Sequence, residues 1–221
     1  MNIEQARFNM IEQQIRTWNV LDPEVLDLLV AVKREAFVPP AYKALAFMDT
    51  EIPLSGEASM LAPKLEARIV QEAGVKPTDN VLEIGAGSGY MAALLAQRAK
   101  HVTTVEIEPA LAAMAEQNLS GYGIKNVDVV LGNGANGWQG SGANAAPYDV
   151  IIISGSLPVL PDAFLKQLKV GGRLIAIIGQ PPVMVAQKIT RLSDVSYETT
   201  PLFDTHATPL REAPAPERFK F

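Results

Sequence analysis

Cysteine is absent from this chain of 221 residues, and histidine occurs only twice. Without cysteine the chain can form no disulfide bonds, zinc–thiolate sites or thiol nucleophiles. His101 stands at the predicted start of a strand and His206 in a C-terminal loop, so both carry little weight as catalytic groups. The sequence therefore predicts chemistry that needs no histidine or cysteine dyad and no metal ion.

Long apolar runs and clusters of basic residues are also lacking. No run approaches the roughly 18 apolar residues that a membrane-spanning helix needs. The opening MNIEQARFNM has neither the basic patch nor the apolar core of a signal peptide. The net charge is −5, and the 19 lysines and arginines are scattered singly, which opposes binding to nucleic acid. We expect a cytoplasmic protein that binds neither membrane nor nucleic acid.

The chain divides into three segments of different pattern: residues 1–78, 79–205 and 206–221. The first is predicted to be helical, with a helix start at Asp22-Pro23-Glu24 and an apolar helical spacing at Phe8, Ile11, Ile15 and Trp18. The last is a tail that ends in the Pro/Ala-rich sequence REAPAPERFKF, for which we expect exposure to solvent.

The middle segment alternates apolar strand-like runs with helical runs. Apolar runs without strict alternation are typical of strands buried on both faces of a parallel sheet. Beyond residue 183 two strand-like runs follow one another without a helix between them, which favours an antiparallel hairpin at the sheet edge. The predicted fold is α/β, with a mostly parallel, doubly wound sheet, an antiparallel C-terminal edge and an N-terminal helical extension. Ligands of such sheets bind at the carboxyl ends of the strands.

The strongest motif is VLEIGAGSGY at residues 81–90, where a strand runs into Gly85, Gly87 and Gly89 and then into a helix. Glycines at this place let a ligand approach the backbone. A tight strand-to-helix turn without any ligand would also explain them. The spacing Gly-x-Gly-x-Gly differs from the Gly-x-Gly-x-x-Gly of dinucleotide sites. Glu83, inside the strand, would repel a pyrophosphate but suits the cationic amino-acid end of a ligand.

Two further features are predicted at the same sheet edge. Glu106 ends the next strand, about twenty residues beyond the glycines, where a ribose-binding carboxylate belongs. The loop LGNGANGW, residues 131–138, follows the third strand. Its two Asn-Gly pairs are typical of a hairpin turn, yet no matching strand follows. Next to Glu106 this loop instead indicates an adenine pocket, in which the Asn133 carbonyl accepts from the amino group and Trp138 anchors the loop.

Together these motifs resemble the class I S-adenosylmethionine-dependent methyltransferases, which have a Rossmann-like methyltransferase fold. Over nearly the whole chain the sequence resembles one of their families, the protein-L-isoaspartate O-methyltransferases. The matching stretches are MIEQQI, VLD, Arg34 with Phe37-Val38-Pro39, Phe47-Met48-Asp49, Ile52-Pro53-Leu54, the glycine motif, GNGANGW, Pro147-Tyr148-Asp149 and QLKVGGRL. The N-terminal stretches and the GNGANGW loop are specific to this family.

The resemblance implies transfer of a methyl group from S-adenosyl-L-methionine to a carboxylate of damaged protein or peptide carrying isoaspartyl residues, leaving S-adenosyl-L-homocysteine. It implies a substrate-side loop within residues 1–78 and a cofactor domain at 79–205. Cofactor contacts are expected from Met60, Glu83, Gly85, Ala86, Gly87, Gly89, Glu106, Ile107, Asn133 and Gly134. An ionised carboxylate, with an unperturbed pKa of about 4, is already a competent nucleophile, so the enzyme needs no general base.

Two positions depart from the family pattern. The family has Thr-Ile-Ser-x-Pro before the helix at Pro63, but here Leu61 occupies the serine position and only Ser59 carries a hydroxyl. Asn133 replaces the usual aspartate. Arg211 is either a partner of the substrate carboxylate or a solvated tail residue. The alternatives are a methyltransferase with another acceptor, a non-catalytic cofactor-binding relative, and, against the glycine spacing, a nicotinamide dehydrogenase.

Overall fold

The computed structural model describes residues 2–215 of the chain. Its helices are α1 (Ile3–Met10), α2 (Pro23–Ala31), α3 (Pro63–Ala73), α4 (Tyr90–Ala96), α5 (Pro109–Gly121) and α6 (Asp162–Lys166). Its strands are β1 (Ile52–Pro53), β2 (Ser59–Met60), β3 (Asn80–Ile84), β4 (His101–Glu106), β5 (Val127–Leu131), β6 (Tyr148–Leu157), β7 (Leu168–Gln180), β8 (Val183–Arg191) and β9 (Tyr197–Asp204). Shorter π- or 3-10-helical turns occupy Ile11–Ile15, Arg16–Trp18, Arg34–Ala36, Pro40–Leu45 and Gly142–Asn144.

Seven strands form one sheet in the order β5-β4-β3-β6-β7-β8-β9. The pairs from β5 to β7 are parallel, whereas β8 runs antiparallel to β7 and β9 antiparallel to β8. The predicted α/β fold, with its antiparallel C-terminal edge, is confirmed. Because the chain moves outward from β3 in one direction and then returns to place β6 on its other side, the loops after these two strands diverge. They leave a crevice at the carboxyl edge of the sheet.

The central strands are buried on both faces, as their unbroken apolar runs predict. In β6, Val150 and Ile152 belong to one hydrophobic cluster, while Ile151 and Ile153 belong to a second cluster. Successive side chains of a strand point to opposite faces, so the two clusters lie on the two sides of the sheet. The first cluster includes residues of α1 to α5, and the second includes Phe164 of α6. The layers hold the sheet edge, and hence the crevice, in a rigid frame.

Local sequence signals explain where several helices begin and end. The Asp22 side chain accepts a hydrogen bond from the Glu24 backbone N–H at 2.9 Å, and Pro23 takes the first position of α2. The signal at the C-terminal end of α3 is Gly74, before which the helix stops. Its φ of +52° lies in the left-handed region that favours glycine. These bounds agree with the helix signals in the sequence.

The N-terminal segment is helical without being one continuous helix. Ile11 and Ile15 are buried, but Phe8 at the same helical spacing is 59% exposed. The backbone widens into a π-helical turn directly after α1, which shifts the phase of the apolar stripe and turns Phe8 toward solvent. Within residues 2–215, no helix is both long and apolar enough to cross a lipid bilayer.

The residues after β9 return to the carboxyl end of β6. The Ser156 N–H donates to the Thr208 carbonyl at 3.0 Å, and the Leu210 N–H donates to the Ser156 carbonyl at 2.9 Å. Ala207 is fully buried. Of the tail for which the sequence predicts exposure, Arg211 and Glu212 are exposed, while residues 216–221 lie outside the described part of the chain.

Candidate functional site

A cavity of about 280 Å³ lies at the carboxyl ends of β3, β4 and β6. Its floor comes from the glycine loop, the end of β4 and the end of β6. One wall comes from the loop at residues 55–59 and the opposite wall from residues 208–211. Two smaller cavities of about 30 Å³ adjoin it, one on the side of Leu61 and Glu83, the other on the side of Asn133. All three share Gly85.

The glycine loop requires its glycines. Gly85, Gly87 and Gly89 have φ values of +95°, +53° and +84°, all in the left-handed region. A Cβ atom on Gly85 would lie 3.0 Å from the Ser154 carbonyl oxygen, which leaves no room for a side chain between β3 and β6. On Gly89 a Cβ would meet Ala115 of α5, so this glycine serves the contact between α4 and α5 and is not among the residues that line the three cavities.

The Glu106 carboxylate holds the glycine loop through a hydrogen bond from its backbone. Its Oε2 accepts from the Gly87 N–H at 2.9 Å, and its Oε1 accepts from the Glu108 N–H at 3.1 Å. A carboxylate has about four acceptor lone pairs, so two remain free. Glu106 and Ile107 line the main cavity, so the carboxylate borders the space that a vicinal diol such as a ribose would occupy.

Glu83 is fully buried beneath the loop and borders the small cavity next to Leu61. Thr104 and Ser154 each donate a hydroxyl hydrogen bond of 2.7 Å to its carboxylate. Burial raises the pKa of Glu83 to about 7, although the two hydrogen bonds act in the opposite direction. The carboxyl group therefore titrates near neutral pH, directly below the site.

Replacing Glu83 by glutamine should remove this carboxyl's contribution to the pH dependence of stability between about pH 4.5 and pH 7, while the contribution of Glu66, whose pKa is also raised, remains. Glu83 ionises near 4.5 when unfolded and about 7 when folded, so the wild-type protein loses stability as the pH rises through this range, by up to about 3 kcal/mol. Glutamine stays neutral throughout. Free energies of unfolding in urea, taken at several pH values, measure the difference.

The exposed Glu116 on α5 offers the matched control, since Glu116→Gln should follow the wild-type pH profile. Parallel profiles of the wild-type protein and Glu83→Gln would contradict the role of Glu83.

The loop after β5 is held in place on both sides and does not form a hairpin. The Trp138 N–H donates to Gln167 Oε1 at 3.0 Å, and the Trp138 ring covers Gly132, where a Cβ would lie 2.7 Å from the ring. Trp138 is thus an anchor, as the sequence predicts. Asn133 accepts from the Ala135 N–H at 2.9 Å through its Oδ1, and its Nδ2 donates to Glu212 at 2.6 Å. Asn133 and Gly134 line the second small cavity.

The side of the cavity opposite Asn133 carries the sequence Ser59-Met60-Leu61. The Ser59 hydroxyl lines the main cavity and donates to Glu51 at 2.9 Å. Met60 pairs with Ile52 in the β1–β2 hairpin. Leu61 is buried and borders the small cavity above Glu83 together with Met60 and Ala86. At this end of the site the position of the family serine is therefore apolar.

A buried ion pair supports the backbone at Leu61. Arg34 is 1% exposed, pairs with the Glu66 carboxylate through Nη1 and donates to the Leu61 carbonyl through Nη2 at 2.8 Å. Its guanidinium also lies 5.2 Å from the centre of the Tyr90 ring. Burial raises the pKa of Glu66 to about 8, while Arg34 lowers it. In the sequence Arg34 stands out only as part of a family motif, and the motif alone indicates no role for it.

Sequence reasoning brought together most of this site but missed two of its parts. Ser154 and Gly155 line the cavity at the end of β6. Ligands of such sheets bind at the carboxyl ends of the strands, and β6 is the fourth strand of the main sheet along the chain, so its end could have been predicted to line the site as well. The wall at residues 208–211 has no such signal. Within it, Arg211 Nη1 pairs with Glu108 Oε2 at 2.5 Å, and the half-exposed side chain lines the main cavity.

Comparisons with known proteins agree with this geometry. The profile of the Protein-L-isoaspartate(D-aspartate) O-methyltransferase (PCMT) family matches residues 5–213. A protein-L-isoaspartate O-methyltransferase of Rhodopseudomonas palustris (strain ATCC BAA-98 / CGA009) is 40% identical over 202 residues, covering 91% of each chain. A solved structure of that name has a TM-score of 0.79 at 25% identity and covers 92% of this chain and 65% of its own.

A Plasmodium falciparum structure, assigned as a protein-L-isoaspartate O-methyltransferase in complex with S-adenosyl-L-homocysteine, also has a TM-score of 0.79. At 19% identity it covers 96% of this chain and 99% of its own, and so supports the fold. A dinucleotide-dependent dehydrogenase is excluded by the family match. The chain belongs to the protein-L-isoaspartate(D-aspartate) O-methyltransferase family, whose enzymes use S-adenosyl-L-methionine.

Proposed function

We propose that this methyltransferase acts on the side-chain carboxylate of isoaspartyl residues in damaged proteins or peptides. The observation that carries the proposal is the cavity of about 280 Å³ whose floor holds the glycine loop and Glu106, and whose walls come from residues 55–59 and 208–211. A cofactor on the floor and an acceptor entering between the walls would meet inside the same cavity. Membership of the family, over residues 5–213, supports the acceptor class.

The residues present fit S-adenosyl-L-methionine. We assign the ribose to the free lone pairs of Glu106, the adenine to the small cavity beside Asn133 and Gly134, and the amino-acid end to the region of Gly85, Ala86 and Gly87 above Glu83. An ionised Glu83 would add negative charge below a cationic ammonium group.

Methyl transfer requires the protein mainly to position the two reactants. The cofactor supplies a methyl group already activated by its sulfonium. An acceptor carboxylate, with a pKa of about 4, is ionised at neutral pH and needs no base to remove a proton. The walls at residues 55–59 and 208–211 would therefore act by holding the two reactants in line and by limiting access of water.

A second acceptor is favoured by one observation. The Leu61 side chain places apolar surface at the end of the site where a hydroxyl is expected, and the Ser59 hydroxyl already donates to Glu51. Fewer hydrogen-bond donors then remain for an incoming carboxylate. The alternative function is methyl transfer from the same cofactor to a different acceptor, either a small molecule or another protein site.

Methyl transfer to isoaspartyl and normal aspartyl versions of one peptide separates the two candidates. We expect transfer to the isoaspartyl version alone. Transfer to neither peptide, by a preparation that binds S-adenosyl-L-homocysteine and beside an active enzyme of the family, would reject the isoaspartyl acceptor. The predicted cytoplasmic localisation stays a prediction, for which fractionation of the source cells is the test.

Leu61→Ser should raise kcat/KM for the isoaspartyl peptide about fivefold, because one added hydrogen bond to the carboxylate contributes about 1 kcal/mol. Leu61→Ala is the matched control, since it removes the same side chain without adding a hydroxyl. Equal activity of the two variants would show that the hydroxyl is irrelevant. If neither the wild-type protein nor Leu61→Ser methylates the isoaspartyl peptide, the result favours the alternative acceptor.

A further inference from the structure

Two adjacent tail residues pair with the two loops that border the adenine side of the cavity. Arg211 Nη1 lies 2.5 Å from Glu108 Oε2, in the loop after β4. Glu212 Oε2 accepts from Asn133 Nδ2 at 2.6 Å, in the loop after β5. Leu210 and Arg211 line both the main cavity and the small cavity beside Asn133. The tail thus borders the part of the site that we assign to adenine.

The partners of Asn133 determine which way its amide points. The Ala135 backbone N–H can only donate, so it requires the amide oxygen on its side. An ionised Glu212 carboxylate can only accept, so it requires the amide NH₂. Both partners therefore favour the same orientation, and Oδ1 keeps one lone pair beyond the bond from Ala135.

Glu212 occupies this place with an unusual backbone. Its φ is +57°, in the left-handed region that residues with a Cβ atom rarely adopt. Such a conformation persists where surrounding contacts hold it. Here the contacts are the Arg211–Glu108 ion pair on one side and the hydrogen bond to Asn133 on the other.

We infer that Glu212 is a positioning residue for adenine recognition: it fixes the Asn133 amide so that its oxygen, and not its NH₂, is presented to the adenine amino group. This inference rests on the proposed cofactor site. It also explains why a neutral amide stands at a position where the family usually has aspartate. An aspartate at 133 would set two carboxylates against each other, whereas Asn133 turns the tail carboxylate into a partner.

The test compares two ligands that differ at the adenine edge. S-adenosyl-L-homocysteine has an amino group there, and S-inosyl-L-homocysteine has a carbonyl oxygen. We expect the full-length wild-type protein to prefer the amino ligand about tenfold or more by calorimetry, because a fixed acceptor rejects the carbonyl. Glu212→Ala leaves the Asn133 amide held by the Ala135 N–H alone, without a partner for its NH₂, and the preference should fall to about threefold or less.

A control and a double variant make the result specific. Glu198→Ala, an exposed glutamate on β9 at the opposite edge of the sheet, should keep the wild-type preference. Asn133→Ala should also lose the preference, and Glu212→Ala should change it no further in the Asn133→Ala background. That non-additivity is the signature of a residue that acts through another.

Three outcomes would overturn the inference. If Glu212→Ala weakens both ligands equally and leaves the preference unchanged, the tail has only a structural role. A further fall in the double variant would mean that Glu212 contacts the ligand directly. Equal affinity of the wild-type protein for both ligands would show that no fixed acceptor exists. Absence of any S-adenosyl-L-homocysteine binding by the wild-type protein would instead reject the proposed cofactor site itself.

Discussion

Replacing Glu106 by alanine is expected to weaken binding of S-adenosyl-L-homocysteine about a thousandfold, or about 4 kcal/mol. Two charge-assisted hydrogen bonds from a ribose diol would be lost, each of which contributes about 1.5–3 kcal/mol. The variant also releases the Gly87 N–H, which Glu106 holds at 2.9 Å, so the glycine loop loses its support from below. Titration calorimetry with the purified protein measures the change.

Two further variants make this result interpretable. Glu106→Gln keeps one acceptor oxygen and should show an intermediate loss of affinity. Glu116→Ala removes an exposed glutamate from α5 and should bind like the wild-type protein. If Glu106→Ala stays folded and binds within about threefold of the wild-type protein, the ribose assignment is wrong.

At a pH above about 8, where the buried Glu66 carboxyl is ionised, Arg34→Ala is expected to lower the free energy of unfolding by about 3–5 kcal/mol, because it leaves that charge without its partner. The Leu61 carbonyl loses a 2.8 Å hydrogen bond, and the Tyr90 ring loses its cation. The pKa of Glu66 is about 8 with Arg34 in place, and loss of the arginine raises it further because burial is then opposed by no cation. The deficit should therefore grow as the pH rises above that value, since ionisation of an unpaired buried carboxyl favours the unfolded chain. Urea unfolding at several pH values tests both parts.

Surface and paired variants control for the loss of an arginine as such. Arg16→Ala breaks an exposed pair with Glu12 and should cost less than about 1 kcal/mol. Replacing Arg34 and Glu66 together by methionine removes both charges while keeping apolar volume, and should recover much of the loss. A loss below about 1 kcal/mol in Arg34→Ala would contradict the importance of the pair.

The sheet and the floor of the cavity could be predicted because their signals are local. An apolar run, a glycine loop and a strand-ending carboxylate such as Glu106 each need only a few neighbouring residues to be recognised. A parallel sheet then brings their carboxyl ends to one edge whatever the loops between them contain. The helical spacing wrongly predicts that Phe8 lies on the buried face with Ile11 and Ile15. The π-helical turn after α1 rotates the positions before it relative to those after it, and the sequence carries no local signal for such a turn.

The pairings across the cavity could not be predicted in the same way. Asn133 and Glu212 are 79 positions apart, and Arg211 and Glu108 are 103 apart. Neither pair belongs to a strand register or a helical repeat, so no periodicity reveals it. Ser59 is similar: its hydroxyl was visible in the sequence as a candidate site group, whereas its bond to Glu51 depends on the β1–β2 hairpin. Such side-chain pairs depend on the complete fold, so the local sequence does not reveal them.

The two walls of the cavity come from distant parts of the chain. Residues 55–59 precede the first strand of the main sheet, whereas residues 208–211 follow β9, which ends at Asp204. A chain shortened to Asp204 would therefore keep all seven strands of the main sheet and lose the second wall of the cavity. The residues that form the sheet and the residues that border both sides of the reaction space are thus separable parts of the sequence.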